Sequence, residues 1–185
     1  MTQSIFATGI SQSIADVLAN KDQRVQSQRQ LAKRYSDQTI VTLKLNIPGP
    51  IKNNDALTQI FEKGKNIWQV RLNQEQFVVT EVQQWNKETG CESLMVIDGS
   101  AQRLKQFAVR FEDETPLGRL FDVDVLVNDG QRLQALSRTQ LNLPVRQCFI
   151  CGRSAKACAR SRRHSIEELQ GYINNVYHKT FGKTL

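Results

Sequence analysis

The stretch LFDVDVLV alternates apolar and acidic side chains with the period of a β-strand. Val123, Val125 and Val127 occupy every second position, as expected when one face of a strand lies in a hydrophobic core. Asp122 and Asp124 therefore share the opposite face, about 6–7 Å apart along the strand. Aspartate is depleted in strands, and neighbouring like charges repel. The alternation thus predicts a strand whose polar face carries a function.

Charge is distributed unevenly along the chain. With 185 residues, 39% hydrophobic and 23% charged, we expect a single domain over residues 1–185 with a packed core. The whole net charge of +7 arises within residues 130–166, because the rest of the chain has 17 basic and 18 acidic residues. This basic segment contains no acid and has eight basic residues: Arg132, Arg138, Arg146, Arg153, Lys156, Arg160, Arg162 and Arg163. It suits a polyanionic partner.

Targeting and membrane signals are not evident in the sequence. No apolar run approaches the roughly 18 residues of a membrane span, and the first residues lack a basic region followed by an apolar core. We therefore expect a cytoplasmic protein without a membrane partner. In that compartment the four cysteines are expected to be thiols or metal ligands rather than disulfides.

Hydrophobic periodicity predicts a mixed α/β domain with helices flanking a sheet and a C-terminal basic Cys/His segment that ends in a helix. Helices are predicted from Ser13 to about Tyr35, over 54–63, over 100–111 and from Ser165 through about Phe181. Strands are predicted over 41–47 (buried on one face), 67–72, 76–83, 92–97 and 120–127. Turns are predicted at Pro48-Gly49-Pro50 and Thr89-Gly90.

Two carboxylates on one strand face are an arrangement that binds divalent metal ions. Mg²⁺ prefers oxygen ligands and is commonly bound by one or two carboxylates together with substrate phosphates. Such ions stabilise the attacking and leaving oxygens of a phosphoryl transfer. Gly118 and Arg119, just upstream, offer a flexible backbone and a guanidinium to phosphate oxygens. The pattern favours magnesium at Asp122 and Asp124, with Arg119 as a third catalytic residue, over a merely solvated strand face.

The cysteines of the basic segment allow two interpretations. Cys148 and Cys151 form C-x-x-C, and Cys158 and His164 follow at spacings compatible with a zinc site. In the first interpretation, the four residues bind zinc and hold the basic segment. In the second, the cysteines are buried thiols and His164 works near phosphate or assists proton removal from an acceptor. Neighbouring arginines favour the neutral imidazole in that case.

The chain resembles the apo-citrate lyase phosphoribosyl-dephospho-CoA transferases, also called citrate lyase holo-acyl-carrier-protein synthases. Two blocks carry most of the resemblance, G-R-L-F-D-V-D-V over 118–125 and C-x-x-C…C-A-R-S-R-x-H over 148–164. Further residues that share it are Arg24, Gln28, Asn46, Ile47, Pro48, Gly49, Pro50, Lys52, Glu81, Thr89, Gly90, Lys105, Glu114, Pro116, Leu117, Ser137, Arg138 and Arg146.

The resemblance implies a specific reaction. It implies transfer from 2′-(5″-triphosphoribosyl)-3′-dephospho-CoA to a serine of the acyl-carrier (gamma) subunit of citrate lyase, with release of pyrophosphate. It also implies a nucleotidyltransferase-like mixed sheet with magnesium at the acidic pair. The chain departs from that superfamily because no Gly-Ser turn precedes the pair, and the third carboxylate is unassigned. Glu114 and Glu81 are the candidates for it.

The donor is a polyanion, so basic residues are expected around it. The candidates for binding it are Gly118, Lys52, Lys105, Arg138, Arg146, Arg160, Arg162 and His164. For Lys52 and Lys105, the alternative is an ordinary solvated lysine. Arg160 and Arg162 precede the last predicted helix, whose N-terminus also favours anions.

An alternative of a different class is a zinc-stabilised basic module that binds nucleic acid without catalysis. The basic segment with its cysteines supports this alternative. The acidic pair argues against it, because carboxylates repel a phosphate backbone. We therefore expect no nucleic-acid partner.

Overall fold

The computed structural model describes residues 4–128 and 132–182. Within them lie five α-helices: α1 Ile14–Arg34, α2 Asp55–Gln74, α3 Ala101–Glu114, α4 Ala155–Arg160 and α5 Ile166–Phe181. The five strands are β1 Thr39–Leu45, β2 Val78–Lys87, β3 Gly90–Asp98, β4 Phe121–Asn128 and β5 Leu133–Ala135. The predicted mixed α/β class is confirmed. No helix of these described ranges is long and apolar enough to cross a membrane.

The strands form one sheet in the order β2-β3-β1-β4-β5. All four strand pairings of this sheet are antiparallel. The resemblance implies a mixed sheet, whereas the sheet within the described residues is antiparallel throughout. A hairpin at the predicted Thr89-Gly90 turn joins β2 to β3. Strand β1 lies between β3 and β4, and Lys44 pairs with Glu92 on one side and Asp122 on the other. These three residues therefore form a row across the sheet.

Both faces of the sheet are covered by helices. Val41 and Val123 belong to the main core, to which α2, α3 and α5 contribute apolar residues. Ile40 lies on the other face, in a smaller apolar cluster with Leu31 of α1. The expectation that β1 is buried on one face is therefore wrong: Thr42, on the α1 side, is also fully buried. Helix α1 covers a face that the alternating polar residues predicted to be solvated.

Helix α2 is longer than predicted, and the predicted strand over 67–72 is wrong. The helix continues to Gln74 because its buried residues recur every three or four positions: Leu57, Ile60, Phe61, Gly64, Trp68 and Leu72. Trp68 packs against Phe107 and Phe111 of α3, with ring centroids 4.6 and 5.2 Å apart. This packing outweighs the strand preference of Ile67, Trp68 and Val70.

The first and last helices begin where the sequence predicts. Ser13 caps α1 and forms a reciprocal capping box with Asp16, and Ser165 forms the predicted box with Glu168 at the start of α5. Each box satisfies two backbone N–H groups that have no partner inside the helix. The capping box thus determines where the basic segment ends and α5 begins.

Candidate active site

The two aspartates of β4 converge on one cationic atom. The Nζ atom of Lys44 on β1 donates to Asp122 Oδ2 at 2.6 Å and to Asp124 Oδ2 at 2.7 Å. Nη1 of Arg146 lies 3.6 Å from Asp122 Oδ1. The carboxylates thus share a face, as the alternation predicts, and their repulsion is offset by a lysine that the sequence analysis did not select.

The pKa values of Lys44 and Asp122 are both shifted toward the charged form of the side chain. Burial alone would lower the pKa of Lys44, but Asp122 and Asp124 more than offset burial, and the pKa is raised. Burial would raise the pKa of Asp122, but Lys44 and Arg146 hold it below its ordinary value. The contribution of Lys44 to the free energy of unfolding is therefore lost only as the pH rises through its raised pKa. The contribution of Asp122 to the free energy of unfolding is lost only as the pH falls through its lowered pKa.

The donor set of the acidic pair fits magnesium. The ammonium of Lys44 takes the Oδ2 atom of each carboxylate, so a divalent cation would bind their remaining oxygens or take the place of the lysine contact. Oxygen is the ligand type that Mg²⁺ prefers. The side chains of Asp122 and Asp124 are 42% and 35% exposed, so substrate oxygens can approach them. The pair can therefore hold a divalent cation that also contacts a phosphate.

Neither candidate for the third carboxylate lies at the pair. Glu81 is on β2 and accepts a hydrogen bond from the Tyr35 hydroxyl at 2.7 Å. Glu114 pairs with Arg71 at 3.0 Å at the end of α3. The carboxylate that shares the row of Lys44 and Asp122 is Glu92, which accepts from Asn20 at 2.8 Å and Arg24 at 2.5 Å.

A second buried carboxylate, Glu112 of α3, connects the basic segment to the sheet. It is 3% exposed. It accepts from the backbone N–H of Val123 at 2.7 Å, from Arg138 at 2.5 Å and from Arg146 at 3.2 Å. Arg138 also binds Asp113 at 2.6 Å and is 10% exposed at its side chain. The structure therefore places Arg138 in a buried ion-pair network, away from any open phosphate site.

The side chain of Lys105 is buried against the backbone of β4. Its Nζ atom is buried and donates to the carbonyl of Val123 at 3.2 Å. Because Glu112 binds the N–H of the same residue, two side chains of α3 satisfy the β4 backbone where β5 does not reach. Lys105 therefore contacts the strand of the acidic pair without facing the cavities described below.

Gly118 and Arg119 also serve the packing around β4. A Cβ atom on Gly118 would lie 1.9 Å from the carbonyl oxygen of Phe111, so only glycine fits there. Its N–H donates to the Thr115 hydroxyl at 2.9 Å and is not directed to solvent. Arg119 donates to the carbonyl of Gln147 at 2.7 Å and lies 3.6 Å from Asp113. Neither residue contacts the acidic pair in this structure.

Asn46, two residues after Lys44, lines two cavities. The larger, about 680 Å³, lies between the basic segment and the start of α5 and is lined by Arg146, Arg162 and His164 among others. The smaller, about 200 Å³, lies between α1 and the end of β1. It is lined by Lys44, Lys52, Arg24 and others.

Three of the predicted donor-binding residues therefore line the larger cavity, and Lys52 lines the smaller. The Nζ atom of Lys52 donates to the Ile47 carbonyl at 2.7 Å, and burial lowers the pKa of this lysine. Arg160 is exposed and does not line either cavity. Arg162 has a left-handed backbone, with φ 46°, in the turn that leads to His164.

The structure brings the cysteines and histidine of the basic segment together. The ligand atoms of Cys148, Cys151, Cys158 and His164 all lie within 4.8 Å of one another. Cys91 lies elsewhere, in β3, beside Asn53. The neighbouring His164 is the main cause that lowers the pKa of the Cys151 thiol.

Sequence reasoning missed Lys44, Glu112 and Glu92 because their partners are distant in the chain. Lys44 lies 78 residues from Asp122, and Glu112 lies 26 residues from Arg138. A signal for Lys44 was present: it occupies a polar position of an alternating strand, as the aspartates do. Glu112 had a weaker signal, an acid among the apolar residues of an amphipathic helix.

Comparisons with known proteins agree with the resemblance. The family model described as "Apo-citrate lyase phosphoribosyl-dephospho-CoA transferase" matches residues 12–180. A protein of Streptococcus pyogenes serotype M18, named "Probable apo-citrate lyase phosphoribosyl-dephospho-CoA transferase", is 34% identical over 183 residues, covering 99% of this chain and 94% of its own. A protein of Vibrio cholerae serotype O1 with the same name is 36% identical over 170 residues, covering 91% and 93%. The chain belongs to the family of apo-citrate lyase phosphoribosyl-dephospho-CoA transferases.

Proposed function

We propose that this chain attaches a phosphoribosyl-dephospho-CoA group to a serine of the acyl-carrier subunit of apo-citrate lyase. The donor is 2′-(5″-triphosphoribosyl)-3′-dephospho-CoA. The serine oxygen forms a bond to the phosphorus nearest the ribose, and the bond from that phosphorus to the outer two phosphates breaks. The hydroxyl proton is released and pyrophosphate leaves. Family membership supports the reaction class, because the relatives are named as transferases of this group to apo-citrate lyase.

The convergence of Asp122 and Asp124 on one cation position carries the proposal for the site. Both carboxylates reach the same Nζ atom, at 2.6 and 2.7 Å. When bound by oxygens of these two carboxylates, Mg²⁺ supplies positive charge that stabilises the oxygens of the reacting phosphate. Lys44 offsets the repulsion between the two carboxylates and holds them close together before substrate arrives. Arg146 is the residue that links the pair to the larger cavity, because it lies against Asp122 and also lines that cavity.

The larger cavity has the composition expected of a site for the dephospho-CoA part. Phe149, Ile166 and Leu169 contribute apolar surface, which suits the pantetheine arm and the adenine ring. Arg146 and Arg162 contribute positive charge for its phosphates. Arg146 lines this cavity and lies 3.6 Å from Asp122, so a donor bound in the cavity can extend its triphosphate past Arg146 toward the acidic pair.

This arrangement predicts that two arginines of the basic segment differ in their effect on donor binding. Arg162→Gln is expected to weaken binding by about 1–3 kcal/mol, the range for a lost hydrogen bond to a charged group. Arg160→Gln is the matched control, since Arg160 is also exposed but does not line the cavity. Calorimetric titration with donor and Mg²⁺, without carrier, measures both. Equal affinity of the two variants would remove Arg162 from the donor site.

Measuring the intact mass of the carrier subunit tests the reaction itself. Purified protein, Mg²⁺, the triphosphoribosyl donor and apo-carrier are mixed, and the carrier is expected to gain the mass of one phosphoribosyl-dephospho-CoA group. Pyrophosphate should appear in equal amount. A carrier whose acceptor serine is changed to alanine is the control. No mass gain with a folded protein and an intact acceptor serine would refute the proposed activity.

The nucleic-acid alternative is not favoured by the comparisons, since the family and the relatives carry a transferase name. The ion pairs also argue against it. Arg138 is bound to Glu112 and Asp113, so this charge of the basic segment is not presented to a polyanion on an open surface. Salt-dependent binding of random duplex DNA, together with no pyrophosphate release, would restore the alternative.

A further inference from the structure

The cluster of Cys148, Cys151, Cys158 and His164 has the dimensions of a tetrahedral metal site. The four ligand atoms lie within 4.8 Å of one another, and the sulfurs of Cys151 and Cys158 are 3.9 Å apart. Zinc–sulfur bonds of about 2.3 Å in a tetrahedron place two sulfurs about 3.8 Å apart. The sulfurs of Cys151 and Cys158 are therefore already at the separation that zinc requires, and they are much further apart than a disulfide bond.

The local backbone explains how the ligands meet. The N–H of Gly152 donates to the carbonyl of Cys148 at 3.1 Å and closes a tight turn, and Gly152 adopts a φ of 68° that glycine tolerates. This turn brings Cys148 and Cys151 to the same side. Cys158 comes from α4, and His164 follows in the turn before α5. Three separate backbone pieces thus supply the four ligands.

His164 supports metal binding independently of the cysteines. Its Nε2 atom is buried and has no hydrogen-bond partner. Its Nδ1 atom lies 3.8 Å from a carboxylate oxygen of Glu168. Histidines that bind metal through one nitrogen commonly face a carboxylate with the other. A metal ion at the cluster therefore accounts for a buried nitrogen that the protein otherwise leaves unsatisfied.

The surrounding segment has almost no hydrophobic core of its own. Over residues 132–165, the only buried side chains are those of Cys148 and Cys158. Short segments that cannot bury enough apolar surface commonly depend on a metal for their fold. The segment nevertheless forms one wall of the larger cavity, and the ion pairs of Glu112 anchor it only through Arg138 and Arg146 among the residues described.

We propose that Cys148, Cys151, Cys158 and His164 bind one zinc ion with a structural role. All four positions of a tetrahedron are filled by protein atoms, so none is open to water or substrate, as it is in catalytic zinc sites. The three thiols lose their protons on binding. The ion holds the wall of the cavity that contains Arg146 and Arg162. This site is independent of the transferase proposal, because zinc content is measured without any substrate.

Metal analysis of the full chain tests the site, and the sequence offers a matched control for each ligand type. Protein purified under reducing conditions is expected to contain about one zinc ion per chain. Cys151→Ser and His164→Gln are expected to reduce the zinc content at least about tenfold, because losing even an outer partner of a metal ligand lowers metal affinity by about 10–100-fold. Cys91→Ala and His178→Gln change the remaining cysteine and histidine of the chain, and both variants should retain the zinc of the wild type.

Cobalt substitution keeps the proposal testable if a ligand variant does not fold. Chelator-treated wild-type protein titrated with Co²⁺ is expected to develop the visible absorption of tetrahedral thiolate-bound cobalt, and Zn²⁺ should remove it. Wild-type protein that contains no zinc and gives no such spectrum would overturn the proposal. So would unchanged zinc content in the folded Cys151→Ser and His164→Gln variants. A disulfide between cluster cysteines, seen as a mass loss of about two hydrogens in freshly purified protein, would overturn it as well.

Discussion

Asp122→Asn and Asp124→Asn are each expected to lower kcat for carrier modification by at least about 100-fold, or roughly 2.7 kcal/mol in the activation barrier. An amide keeps the shape of the side chain but removes the negative charge that binds a cation. Both side chains are partly exposed, and Lys44 retains one carboxylate partner in each variant. The fold should therefore persist, and the loss should appear in the rate rather than in folding.

The rate of carrier mass gain at saturating donor and Mg²⁺ measures this effect. Asp98→Asn is the matched control, because Asp98 ends β3 and is an exposed aspartate of the same sheet. Urea midpoints of all three variants show whether the fold is retained. If either site variant kept more than about a tenth of the wild-type rate, about 1.4 kcal/mol in barrier, that residue would lose its role as a metal ligand.

Glu112→Gln is expected to destabilise the protein by about 3–5 kcal/mol, the range for removing one partner of a buried ion pair. The change leaves Arg138 with the partly exposed Asp113 as its carboxylate partner, and Arg146 with Asp122 at 3.6 Å besides the carbonyls of Arg119 and Phe121. It also replaces one acceptor oxygen with an NH₂ group, so either the Arg138 bond at Oε2 or the Val123 and Arg146 bonds at Oε1 lose their acceptor. The basic segment should then detach from α3 before the sheet unfolds.

Urea unfolding of wild type and variant gives the difference in free energy of unfolding. Glu114→Gln is the control, because Glu114 lies on the same helix and pairs with Arg71 but is 50% exposed. It is expected to cost less than about 1 kcal/mol. A Glu112 variant as stable as the Glu114 variant would show that this carboxylate does not hold the segment.

The local sequence pattern was sufficient to predict the features that depend on a single helix, strand or loop. The period-two alternation in β4 placed Asp122 and Asp124 on one face, and the capping box at Ser165 located the start of α5. The spacing of the cysteines and His164 indicated a cluster, and their ligand atoms do converge. These predictions depend on residues close together in the chain, where backbone geometry leaves few alternatives.

Interactions between elements decided the roles of individual charged residues. Arg138, Lys105 and Gly118 were expected at the donor, but the structure places them against Glu112, the Val123 backbone and the Phe111 carbonyl. The sequence does not show whether a lysine or arginine binds a ligand or a buried carboxylate of the protein. That depends on which strand edge and which helix lie beside it.

The sequence by itself determined the class of fold, the family, the shared face of the two aspartates and the C-terminal cluster, because each follows from local periodicity or from motifs within short segments. Only the tertiary structure placed Lys44 between the aspartates, gave Glu112 its two arginines and extended α2 through Trp68. Those outcomes depend on strand order and helix packing, which bring together residues as far as 80 positions apart. Such distant pairings arise from burial and charge compensation across the whole fold, which no single segment encodes.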